Sequence, residues 1–235
     1  MPKLFEGARK NWKFVFAFLV FSLLFWLAEF AYQFYFASPG KFELSIVRSL
    51  GFSAATFISA SLLTSIVFKF RPALAKYWHV RRSLGVAGFA FIVVHISAAT
   101  NLIYNFNLAL MYSVLDPFQN PLVFSALAYP IFFLMALTST DWAVQKLGFA
   151  KWKAIHRLVY FAFLFSVFHF ILINPPTLMN LAGYLLLALT ALVLAGELYW
   201  FIKISSKNRF SGKGTIVGVI LIVLYILFAY IAFFS

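Results

Sequence analysis

The stretch 151-KWKAIHRLVYFAFLFSVFHFILIN-174 decides how this chain is read. It is apolar over a length that crosses a bilayer, yet it carries His156 near its basic end and His169 deep inside. Spanning a bilayer does not require imidazole, and ionisable groups in hydrocarbon cost enough that a functional role is the default expectation. Two such histidines ask for a partner.

The rest of the chain agrees with a membrane setting. Of its 235 residues 64% are hydrophobic, 21% aromatic and only 11% charged, with a mean hydropathy of +0.94. Soluble domains run at about 45–50% apolar and about 25% charged. The expected class is therefore an all-α polytopic transmembrane bundle forming one membrane domain over 1–235, with no room for a second, soluble domain.

Seven apolar runs fall at about 14–37, 44–68, 83–104, 121–140, 154–173, 179–202 and 215–234, which makes six core spans and a seventh at the C-terminus. The basic stretch MPKLFEGARKNWK precedes the first run, which is longer than the core of a signal peptide and reads as an uncleaved span. The proline pair Pro175-Pro176 stops the fifth run. Phenylalanine, at 32 residues, reads as lipid-facing and interhelical filler.

The net charge of +13 marks topology rather than nucleic-acid binding. Sixteen of the 19 Lys and Arg lie in the segments 1–13, 69–82, 141–153 and 203–214, and Arg157 sits on the same side. Only Lys41 and Arg48 lie toward the other side. Lys and Arg stay in the cytoplasm, so the expectation is an integral protein of the cytoplasmic membrane with its N-terminus inside. The absence of cysteine excludes disulfides, thiolate-ligated metal and iron–sulfur clusters built by this chain, and leaves histidine as the strong metal ligand.

The third and fifth runs both enter from the inner side. At 1.5 Å per residue His95 lies about 18 Å in and His169 about 22 Å in. Similar depth on two helices is what a haem clamped between two imidazoles needs. Two hydrogen-bonded core histidines is the plainer alternative. His156 lies about 20 Å below His169, a spacing suited to two stacked haems, but thirteen residues of regular helix turn the two side chains roughly 140° apart. Either a π-bulge corrects that angle or His156 faces a different helix. His79 is the remaining candidate for the inner level if the third helix extends through Tyr77, and otherwise a surface histidine.

Lys153, Arg157, Arg81 and Arg82 around the inner site, and Arg48 at the outer end of the second run, are placed to bind haem propionates through charge-assisted hydrogen bonds. The inner group equally serves topology. Gly85 and Gly88 allow close approach of a helix or a flat ring. Glu29 and Glu197 are intramembrane acids expected to pair inside the bundle.

These residues carry a resemblance. The run LTSTDWAVQKLGFAKWKAIHRLVYFAFLFSVFH, 137–169, with Thr138-Ser139, Leu147-Gly148, Trp152, His156-Arg157-Leu158, Tyr160 and His169, resembles the ferric-reductase-like transmembrane domain family. RRSLGVAGFAFIVVH, 81–95, resembles its third-helix element through Arg82, Leu84-Gly85 and His95. The likeness spans about 45–200 and is strongest to small stand-alone members, among them the haem-binding subunit of the periplasmic methionine sulfoxide reductase system.

The resemblance implies a haem b conduit, with one or two haems and FMN as a further candidate cofactor. Such a conduit carries electrons from a cytoplasmic flavin reductase or a quinol to an outer redox partner protein or small acceptor. It further implies that His95 and His169 ligate one haem and that His156 belongs to the second site. Larger family members have a second histidine low on the third helix, where this chain has Arg81-Arg82 with His79 slightly upstream, and a flavin and nicotinamide domain for which this chain has no room. Two other functions compete. One is a ferric-chelate or superoxide-type reductase core. The other is a haem-free transporter or proton-relay bundle, for which broken helices or inverted repeats near the midplane would be expected.

Overall fold

The structure, a computed structural model, describes residues 12–173, 180–205 and Val223. Apart from Val223, the seventh run at 215–234 lies outside the described residues, as do the Pro175-Pro176 stop and most of the basic segments at either end of the chain. Those described form helices and connecting turns with no β-strand. Helices are what a chain this apolar must form where no water is present to satisfy backbone groups.

The helices are α1 (Trp12–Tyr32), α2 (Phe42–Phe70), α3 (Trp78–Ala98), α4 (Leu108–Met111), α5 (Leu122–Leu137), α6 (Asp141–Leu147), α7 (Phe149–His156), α8 (Val159–Ile173) and α9 (Leu181–Ser205). A π-helical turn follows α1 at Gln33–Ala37 and another follows α3 at Ala99–Ile103, while a 3₁₀ turn at Pro72–Tyr77 leads into α3. Five stretches are long and apolar enough to cross a membrane, and α5 with α6 makes a sixth if that pair, bent by 92°, counts as one. The protein is an integral membrane protein built as an all-α helical bundle.

α2 is the central post. At 29 residues it is about 43 Å long, well over the roughly 30 Å of a hydrocarbon core. α1, α3 and α9 pack on it, and α5 packs on α8. Small residues set these approaches. A Cβ on Gly88 of α3 would lie 2.8 Å from the Ile58 side chain of α2, and one on Gly196 of α9 would lie 2.8 Å from Ile66. The main core joins four helices through Ile58, Leu62, Ala128, Phe163 and Val193 among others.

Three boundaries differ from the sequence expectation. α3 begins at Trp78, so His79 is helical. The inner segment 141–153 is not a loop: α6 starts at a Thr140 cap whose side chain accepts from the Ala143 amide, and Gly148, at φ +73°, turns the chain into α7. The fifth span, Phe149–Ile173, is continuous but its helix tightens at Arg157–Leu158, between α7 and α8. There the amides of Leu158, Tyr160 and Phe161 donate to the carbonyls of Ile155, Arg157 and Leu158, tightening one turn.

Candidate functional site

α3 and α8 bring the His95 and His169 rings to a centroid separation of 6.4 Å at an interplanar angle of 70°. Each ring is held by a backbone carbonyl. His95 Nδ1 lies 2.9 Å from the Val47 oxygen of α2, and His169 Nδ1 lies 3.1 Å from the Pro121 oxygen ahead of α5. A carbonyl can only accept, so each Nδ1 carries the proton, and a neutral ring then leaves Nε2 as a bare lone pair. Holding the second ring nitrogen in this way is how metal-ligating histidines are oriented.

The spacing suits a metal held on its axis. Two metal–nitrogen bonds of about 2 Å each, plus about 1.1 Å from each nitrogen to its ring centre, give about 6 Å between ring centres. Among the described residues no three His, Cys, Asp or Glu converge. A bare ion would therefore lack a cage, whereas an iron already held in a macrocycle would need only these two imidazoles, His95 and His169. Both rings are partly exposed, so side chains do not seal the pair off.

The second level is of another kind. His156 ends α7, stacked against Trp152 at 4.2 Å between centroids, with Nε2 3.1 Å from Thr138 Oγ1. Trp152 Nε1 donates to the Thr138 carbonyl at 3.0 Å, so ring and indole share one anchor at the end of α5. They line a cavity of about 240 Å³ together with Trp78, Arg81, Arg82, Gly85, Phe89, Met135 and others. Of the two alternatives for the 140° angle the second holds: His156 faces a different helix, the end of α5, while His169 faces α3.

The predicted site residues divide accordingly. His95 and His169 meet, and His156 and Arg82 line the cavity. His79 and Arg157 do not line it. His79 lies on the face of α3 turned to α1, edge-on to Phe14 at 5.0 Å, and Arg157 is exposed in the turn. Arg82 is already matched, 2.7 Å from Asp141 and 4.9 Å over the Trp78 ring. Arg48 donates to Ser38 Oγ.

Arg81, also expected beside the inner histidines, is the cavity's other arginine. Sequence reasoning missed Gly51, against which the His95 ring lies. The intramembrane acids pair as expected. Glu197 takes Lys69 at 2.6 Å and the Tyr160 hydroxyl at 3.1 Å, and Glu29 accepts from Gln33 at 2.9 Å.

Comparison with known families matches residues 50–167, half of the chain, including His95 and His156 and ending two residues before His169, to the ferric reductase like transmembrane component. The chain belongs to this family. Among relatives of the ferric-reductase-like chain is the protein-methionine-sulfoxide reductase heme-binding subunit MsrQ of Enterobacter sp. (strain 638), 33% identical over 65% of this chain and 73% of the relative. MsrQ of Agrobacterium fabrum is 30% identical over 60% of this chain and 66% of its own. The magnetosome protein MamZ of Magnetospirillum gryphiswaldense is 34% identical over 53% of this chain. The chain spans 19% of the length of MamZ and about two thirds of the length of the MsrQ relatives.

Proposed function

We propose that this protein is the haem-carrying membrane subunit of an oxidoreductase system, taking electrons in at its basic end and passing them out near the opposite end. The supporting observation is the His95–His169 pair, 6.4 Å apart with both Nδ1 atoms committed to carbonyls. Bound haem b supplies a one-electron Fe(III)/Fe(II) couple. The chain's own residues do the rest. Val47 and Pro121 fix ring tautomer and direction, while α2, α3, α5 and α8 keep the pair at one level.

The cavity beside His156 is the place where electrons enter. A haem, or FMN, is accommodated there by an imidazole stacked on an indole and by Arg81, whose guanidinium has no hydrogen bond or ion pair among the described residues, unlike that of Arg82. The donor in this reading is a cytoplasmic flavin reductase or a quinol, and the acceptor is a redox partner protein or a small molecule on the outer side. The membrane is the cytoplasmic one with the N-terminus inside, on the distribution of Lys and Arg.

The test is the optical spectrum of the purified protein, oxidised and then reduced. A low-spin b-type spectrum that disappears in His95→Ala and His169→Ala is the expected result. A colourless, folded preparation from haem-replete cells would sink the proposal.

A further inference from the structure

Val47 and Gly51 stand one turn apart on α2. In the helical ladder the Val47 carbonyl accepts from the Gly51 amide, and a side chain at position 51 would tilt back over that same carbonyl. The His95 imidazole occupies this space. A Cβ on Gly51 would lie 3.0 Å from its Cε1, 3.2 Å from Nδ1 and 3.6 Å from Nε2. Its Nδ1 thereby reaches the uncovered Val47 oxygen at 2.9 Å.

We propose that Gly51 is a positioning residue for electron transfer: its missing side chain opens the Val47 carbonyl to His95 and so sets the rotation and basicity of one haem ligand. The inference rests on the haem reading of the His95–His169 pair. Other helical glycines serve differently. Gly88 and Gly196 face the aliphatic side chains of Ile58 and Ile66, and a Cβ on Gly85 would meet only Ser61 Oγ at an ordinary 3.4 Å.

Donation from Nδ1–H to a carbonyl pushes electron density toward Nε2 and makes it the stronger ligand. A stronger ligand favours ferric over ferrous iron, which lowers the reduction potential. A methyl group at position 51 moves the ring by a few tenths of an ångström, lengthens the bond to Val47 and rotates His95 relative to His169. The acceptor for His169 is Pro121 O, on another segment, so the two ligands are set independently.

The experiment compares full-length protein, Gly51→Ala and Gly88→Ala, each purified from haem-replete membranes. Haem per chain, the low-spin ferric electron paramagnetic resonance signal, the midpoint potential and thermal stability are read for each. Gly51→Ala is expected to keep haem, shift the largest g value and raise the potential. Gly88→Ala should lose stability and leave both signatures where they were. Coincidence of Gly51→Ala with the unaltered protein in both signatures, or an equal shift in Gly88→Ala, overturns the proposal.

If Gly51→Ala does not accumulate, proton hyperfine spectroscopy of the unaltered ferric protein decides. Protonated Nδ1 on both axial rings upholds the carbonyl bond, and a single protonated ring overturns it. A colourless unaltered protein would instead remove the haem reading itself, a failure distinct from an unshifted Gly51→Ala.

Discussion

At the level of His95 and His169 each imidazole is held by a backbone carbonyl, whereas His156 is held by two side chains, the Thr138 hydroxyl and the Trp152 ring. Backbone carbonyls cannot rotate away or titrate, so the first arrangement holds two rings in one relation and suits a permanently seated ligand. Side-chain anchors beside a cavity of about 240 Å³ with two arginines on its wall suit a ligand that is less rigidly defined and more strongly selected by charge. The two levels of this bundle thus differ in what fixes the histidine, and substitutions should separate them.

The sharpest separation comes from ligand removal. His95→Ala or His169→Ala should abolish the low-spin haem spectrum of the paired site, and His156→Ala should leave it in place. An optical titration of each variant reads this directly. If His156→Ala erased the paired-site spectrum as well, the two levels would not be independent.

A smaller effect is expected at the basic level from Glu197→Ala, which strands Lys69 and the Tyr160 hydroxyl inside the bundle. A loss of about 2–3 kcal/mol is the expected cost of leaving partly buried partners unmatched. It should appear as a lower unfolding midpoint in detergent with no shift in the paired-site spectrum. Gly88→Ala probes the packing both levels share: its Cβ would lie 2.8 Å from Ile58, and the overpacking should cost about 1–2 kcal/mol without favouring either level. The smallest change is Thr138→Val, which removes the hydroxyl from His156 Nε2 and should cost about 1 kcal/mol. Ligand binding at the cavity should weaken in that variant while the paired site keeps its potential; a shifted potential would break the comparison.

Part of this could be read from the chain alone. A fixed rise per residue turns positions in two apolar runs into depths, so the common level of His95 and His169 followed from counting. The conflict between His156 and His169 was visible too, because a turn of about 100° per residue sets the angle. Which of its two resolutions holds was not visible, because the partner of His156, Thr138 at the end of α5, is 18 residues away in the chain. Arg81 and Arg82 are neighbours in sequence and both line the cavity, but only Arg82 reaches Asp141.

By itself the sequence determined the all-α membrane class and which two histidines share a level, because hydropathy and helical rise are local quantities that accumulate along the chain. Only the tertiary structure decided which carbonyls hold the rings, that Gly51 makes room for His95, and that Arg82 is the arginine paired with Asp141. Those outcomes depend on how closely and at what rotation α2, α3 and α8 meet, and that is set by side chains far apart in the chain.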